Sequence, residues 1–187
     1  MAVSLDETAM PAAATPSCVV RRADPFAPEA LRLIRQLWEE LGALYPEVNG
    51  PPFSPNDILG ERTAFVVAWW EDEPAGCGAF QPISGEESDV AEIRRMYVEP
   101  GLRRRRIARA ILAELERLAR ECGYAVVRLE TGVRQPNAIR LYETSGYRRI
   151  EPFGRHRGDP ISVCFEKALW GKTSAAWPIP GDWRRSL

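Results

Sequence analysis

Histidine is all but absent from this chain: His156 is the only one in 187 residues. The four cysteines, Cys18, Cys77, Cys122 and Cys164, are scattered and form no Cys-x-x-Cys pair. Together these shortages exclude a zinc site of ordinary ligand spacing, so no metal is expected, and they argue against a disulfide framework, which points to a reducing, cytoplasmic setting. Lysine is confined to Lys167 and Lys172, so arginine supplies nearly all the positive charge. Neither sign is in surplus, with 25 basic residues against 26 acidic ones and a net charge of −1. Such a chain is not built overall to hold a polyanion, and any anion site must be local. No apolar run approaches the ~18 residues that span a bilayer. Asp6 and Glu7 stand where a secretory signal would carry positive charge. Neither a membrane nor a nucleic-acid partner is therefore expected.

What is present is enough apolar material, 45% of 187 residues, to fill one sizeable core and not two. Residues 1–16 are small, polar and aperiodic, and read as a loose tail. Residues 17–169 carry the periodic segments of a single domain. Residues 170–187 contain Trp170, Trp177 and Trp183 with two prolines. This extension is expected to pack on its own domain or on a second copy in a homodimer, with a partly ordered tail as the alternative.

Within the domain, "SCVVRRA" reads as a strand, and "APEALRLIRQLWEELGALY" as a helix with Pro28 in its first turn. The breaker-rich "PEVNGPPFSPND" is a loop expected to border the cleft. A hairpin turning at Glu71 to Pro74 follows, and then the strand "AEIRRMYVEP". Ile107, Ile111, Leu115, Leu118 and Cys122 form the apolar stripe of a helix closed by Gly123. On its polar faces Glu116 is spaced to pair with Arg120. "YAVVRLETG" is a strand, "QPNAIRLYETSG" a helix, and two strands flank "GRHRGD". A strand, helix, strand passage inside a set of hairpins predicts a mixed α/β sheet with helices on its faces and a parallel pair at its centre.

The run "EPGLRRRRIARAIL", from Glu99 to Leu112, places four arginines where a strand turns into a helix. The free N–H groups of a first helical turn, with the positive end of the helix dipole, form an anion site, and arginines reinforce it. A solvated charge run is the bland reading, and a nucleic-acid patch lacks interleaved aromatics. The segment resembles the coenzyme-binding motif of the GNAT superfamily of acetyl-coenzyme A dependent N-acetyltransferases, in which Arg/Gln-x-x-Gly-x-Gly/Ala follows a Val-x-Pro strand end. Arg103 matches the first position and Ala108 the last, while Arg106 stands where the middle glycine is usual. A right-handed helical conformation would let Arg106 keep its N–H aimed at the pyrophosphate. A second motif, "AIRLYETSGYRRI", is similar to the family's closing helix and strand, and the likeness runs from Val20 to about Leu169. "RMYVEP", "LETGVRQP" and "PFGRHRGDPISVCFEK" resemble a bacterial branch acting on small molecules.

The resemblance implies a mostly antiparallel sheet of about seven strands with a splayed central parallel pair, helices on both faces, and acetyl-CoA as co-substrate. Backbone groups of Met96, Tyr97 and Val98 would hold the pantetheine. Arg103, Arg104, Arg105, Arg106, Ile107, Ala108 and Arg109 would cradle the phosphates, and Gln135 stands where an asparagine is frequent. Direct transfer of acetyl to an amine needs a base for the ammonium, oxyanion stabilisation and an acid for the thiolate. Glu92 matches the base position, on a face expected to be shared with Arg94, Met96 and Val98, or else is an exposed ion pair. Tyr142 matches the acid. Glu130 could hold the acceptor's ammonium and Arg95 its carboxylate, or the two could pair with each other. His156 reads as a solvated loop residue, with a base role as the alternative. The expected acceptor is a small amine, an amino acid or related metabolite. Rival readings are an acyl-CoA-binding regulatory module, favoured by Arg106, protein N-terminal or lysine acetylation, and an acyl-cysteine route.

Overall fold

The computed structural model describes residues 17–47, 54–83, 85 and 88–170. The expected tail at 1–16, most of the tryptophan-bearing extension and the middle of the breaker-rich loop lie outside them. Strand β1 (Cys18–Arg22) is followed by helix α1 (Pro28–Leu44), β2 (Ala64–Trp70), β3 (Glu73–Pro82) and β4 (Val90–Val98). Helix α2 (Ile107–Glu121), β5 (Val126–Gly132), α3 (Pro136–Glu143), β6 (Arg148–Ile150) and β7 (Ser162–Ala168) complete the order. This is the element order expected from the periodicities.

Local chemistry accounts for the boundaries. Pro28 opens α1, where its missing N–H is not needed, and the Tyr45 N–H closes the helix on the Leu41 carbonyl at 2.8 Å. Glu71 and Asp72 both take positive φ, 50° and 67°, which matches the right-handed twist of a two-residue hairpin between β2 and β3. Gly123, at φ 80°, caps α2.

The strands form one sheet in the order β1-β2-β3-β4-β5-β7-β6, and β4 with β5 is its parallel pair, joined by the α2 crossover. Helix α1 covers one face, burying Leu33 and Ile34 against Phe65, Val67 and Ala79. Helix α2 covers the other, where Ile111 and Leu115 meet Val66, Phe80, Ile93 and Leu129, and Tyr142 of α3 joins the same core. Gly78 makes the close approach of α2 possible, since a Cβ there would stand 2.8 Å from both Ile111 Cγ2 and Leu115 Cδ1. Among the described residues no helix is long and apolar enough to cross a membrane.

Two sequence expectations change. Glu116 is not an exposed partner of Arg120: it is buried, accepts from the Tyr147 hydroxyl at 3.0 Å and is paired with Lys167 at 2.7 Å. The second change lies in β4. Cys77 faces Tyr97 and Ala79 faces Arg94, so one residue of β3 opposes Arg95 and Met96 together, and Arg95 takes φ 58°. This β-bulge reverses the alternation. Glu92 and Arg94 therefore do not share a face with Met96 and Val98, which pack with Ile93 on the α2 side, while Tyr97 faces α1.

Candidate active site

Pairing between β4 and β5 runs from Val90–Val126 to Ile93–Leu129 and stops there. Beyond that point β4 follows β3 to Val98 and β5 follows β7 to Gly132, so the two strands part. A cavity of about 320 Å³ occupies the opening. It brings together Glu92, Arg95, Met96, Glu130, Gln135 and Tyr142, all nominated from sequence, with residues that were not: Trp38 of α1, Tyr45 just past its end, and Arg155, Asp159 and Ser162 around β7. The Tyr45 ring crosses to β5, where its hydroxyl accepts from the Arg134 N–H at 2.9 Å. Only glycine fits beneath it, because a Cβ on Gly132 would sit 2.0 Å from the Tyr45 oxygen.

The polar floor is a cluster of carboxylates around one imidazole. Glu92 Oε1 accepts from Arg155 Nη2 at 2.9 Å, lies 3.3 Å from His156 Nε2 and is 3.7 Å from Arg94 Nε. His156 Nδ1 is 3.9 Å from Glu130 Oε2. The Ser162 hydroxyl stands 2.9 Å from Glu130 and 3.0 Å from Asp159. His156 is thus no solvated loop residue: its side chain is 12% exposed, edge-on to Phe153 and between two acids. The loop "GRHRGD" held the only signal for this, a histidine flanked by arginines; Tyr45 and Trp38 gave none.

These surroundings push the ionisable groups in different directions. Burial raises the Glu92 carboxyl, but the His156 hydrogen bond and the charges of Arg94 and Arg155 outweigh it and hold the group below the ordinary carboxylate range. For Glu130 burial prevails over His156 and Ser162, and the carboxyl is raised. Burial, with the like charges of Arg94 and Arg155, brings Arg95 down to about 10. Burial and the Glu130 charge lift the Tyr142 phenol well above its usual value, so it stays protonated at neutrality. Burial likewise pushes the Cys77 thiol up to about 12, against a role as thiolate nucleophile.

Past the end of β4, the arginine run has its own geometry. Arg104 and Arg106 both sit at φ 65°. Arg106 is therefore left-handed, the conformation glycine adopts freely, and not the right-handed helical residue that the sequence reading needed. The backbone N–H groups from Arg104 to Arg109 find no acceptor among the described residues, and no side chain caps α2. Successive N–H groups in alternating hands of backbone form a concave anion nest, here continuous with a helix N-terminus. The side chains are divided. Arg103 donates to the Val98 carbonyl at 2.9 Å and pairs with Glu40, Arg105 lies 5.1 Å above the Trp70 ring, and Arg109 donates to Thr144 Oγ1 at 2.7 Å. Arg104 and Arg106 are exposed at the rim. Gln135 Oε1 accepts from Thr131 Oγ1 and the Gly132 N–H, both at 3.1 Å, and so braces the turn into α3.

A sheet that opens at its parallel pair, with an anion nest following the same strand, defines an acyltransferase architecture. The chain belongs to the acetyltransferase (GNAT) family, whose pattern it matches over residues 31–147, and its class is that of acetyl-CoA-dependent N-acetyltransferases. It is 33% identical over 154 residues to the IAA acetyltransferase of Azospirillum brasilense, across 82% of this chain and 99% of that protein. To YjgM, an uncharacterized N-acetyltransferase of Escherichia coli (strain K12), it is 35% identical over 130 residues, 66% of this chain and 77% of that one. The fold is shared with yncA of Salmonella typhimurium, solved with acetyl-CoA, at a TM-score of 0.59 and 16% identity over 86% of this chain and 98% of that one. The residues present fit acetyl-CoA on two counts: the unpaired N–H row suits a pyrophosphate, and the β5-facing edge of β4 beyond Ile93 is not taken up by the sheet.

Proposed function

We propose that this chain transfers the acetyl group of acetyl-CoA directly to the amine of a small molecule, an amino acid or related metabolite. The observation that carries this reading is the cavity at the parted strands, where acidic, basic and phenolic groups face one common space. Bound acetyl-CoA supplies the acyl group as a thioester. Backbone groups of Met96, Tyr97 and Val98 orient it, and the N–H row from Arg104 to Arg109 takes its phosphates, with Arg104 and Arg106 contributing charge from the rim. The buried Tyr142 hydroxyl is the proton donor for the departing sulfur. Glu130 receives the acceptor's ammonium, and Arg95 faces its carboxylate. A 320 Å³ volume is within the range of small-molecule sites, which supports a metabolite as the acceptor.

The test is calorimetric titration with acetyl-CoA, followed by a turnover screen across small amines. Micromolar binding and turnover of at least one amino-acid-like amine are expected. Arg106→Gly should bind within a few-fold of wild type and unfold about 1 kcal/mol less readily, because glycine takes the left-handed conformation without steric penalty. Binding by the glycine variant alone would mean that Arg106 closes the cradle, and the proposed activity would fall.

A further inference from the structure

Glu92 occupies the base position in sequence, yet its surroundings suit another task. Arg155, His156 and Arg94 all approach its Oε1, so protonating this carboxylate would weaken three contacts that favour its charge. The imidazole beside it is placed differently. A carboxylate only accepts, so the nitrogen that bonds to Glu92 carries the hydrogen. With Nε2–H committed to Glu92, the neutral ring keeps its lone pair on Nδ1, and Nδ1 faces Glu130 at 3.9 Å. That distance is too long for a direct hydrogen bond, but an ammonium nitrogen can sit against both atoms at about 3 Å from each.

We propose that His156, oriented by Glu92, takes the proton from the acceptor's ammonium while Glu130 holds that ammonium in place. This rests on the acetyl-transfer reading above and changes the role of Glu92 from base to positioning residue. In the step, an N–H bond of the ammonium breaks and an Nδ1–H bond forms. The amine keeps the electron pair with which it attacks, and the positive charge moves onto an imidazolium lying between two carboxylates. The proton later leaves to solvent from the loop that carries Arg155 and Asp159. Glu92 on β4 and Glu130 on β5 face the ring nitrogens; Arg94 and Arg95 on β4, Tyr45, and Arg155 and Asp159 on its own loop line the same cavity, and Cys164 on β7 lies within electrostatic reach of both carboxylates. Phe153 fixes the ring from the side, with centroids 5.5 Å apart.

Because His156 is the chain's single histidine, its ring can be followed by NMR in tag-free, ligand-free protein without assignment. The wild-type ring should be the Nε2–H tautomer when neutral, and Glu92→Gln, whose amide can offer either a carbonyl or an N–H to Nε2, should lower the share of that tautomer. A ring in the Nδ1–H form, or one indifferent to Glu92→Gln, overturns the proposal whatever the enzyme turns over. The second arm uses an amine found in the screen. His156→Ala should keep the acetyl-CoA affinity, lose about 10²-fold in kcat and recover part of it in imidazole buffer. Glu92→Gln should lower kcat in step with its loss of the Nε2–H tautomer and leave the acetyl-CoA affinity unchanged. Wild-type turnover that survives His156→Ala overturns this role alone, whereas a wild type that binds acetyl-CoA and acetylates no amine overturns the function and this role with it.

Discussion

Glu92 and Glu130 lie on neighbouring strands and their carboxyl pKa values are displaced in opposite directions, which has a thermodynamic consequence. The Glu92 carboxyl is lowered on folding, so it stabilises the fold above the ordinary carboxylate range and loses that contribution as pH falls through its folded value. Glu130 is raised, so the folded state favours its protonated form, and stability is given up as pH rises past the unfolded carboxylate value. Glu130→Gln is therefore expected to raise Tm at pH 7 while weakening the acceptor's KM, a split that thermal melts and steady-state kinetics together will read. A variant that melts lower at pH 7 would show that the Ser162 hydrogen bond outweighs the buried charge. Arg106 follows the same logic in the backbone, since a left-handed arginine at the lip of the nest holds strain where a glycine would hold none.

At the level of elements, order and type were legible because each segment carries its own period. The i, i+3, i+4 stripe of α2, the breakers around the β2–β3 turn and the proline starts of α1 and α3 are local signals, and local signals survive in a string of letters. What escaped was set by pairing across the sheet. "AEIRRMYV" alternates smoothly on paper, and nothing in it announces that Arg95 bulges and sends Met96 to the face opposite Glu92. The burial of Glu116 needed Lys167 and Tyr147 to arrive from β7 and from beside β6, far along the chain. The site divides in the same way. Glu92 and Tyr142 were nominated through motif spacing and Glu130 as a carboxylate at the end of an otherwise apolar strand, whereas His156 acquires meaning only when its loop folds back over β4 and β5. The packing of α2 on β3 makes a sharper test. Gly78→Ala places a methyl 2.8 Å from Ile111 and Leu115, and urea denaturation should show a loss of about 2 kcal/mol as the helix is forced outward. An unchanged midpoint would mean that α2 can shift without loss.

For the whole molecule, the arrangement of nucleophiles decides the kinetic form. Cys77 is buried with its thiol raised to about 12, and Cys164 is raised as well, so neither is poised to carry the acyl group. Initial-velocity plots against acetyl-CoA and amine should intersect, and intact-mass measurement after exposure to acetyl-CoA alone should show no added acetyl. Parallel lines with an acetylated cysteine would revive a two-step route. The parted strands carry this further. The cavity between β4 and β5 is lined by Trp38 and Tyr45 from the α1 side and by Tyr142 from the α3 side, so it is a window through the sheet and not a dent in one face. A window has two sills. Two reactants can meet at its centre from opposite sides, and neither product need wait for the other to clear the doorway.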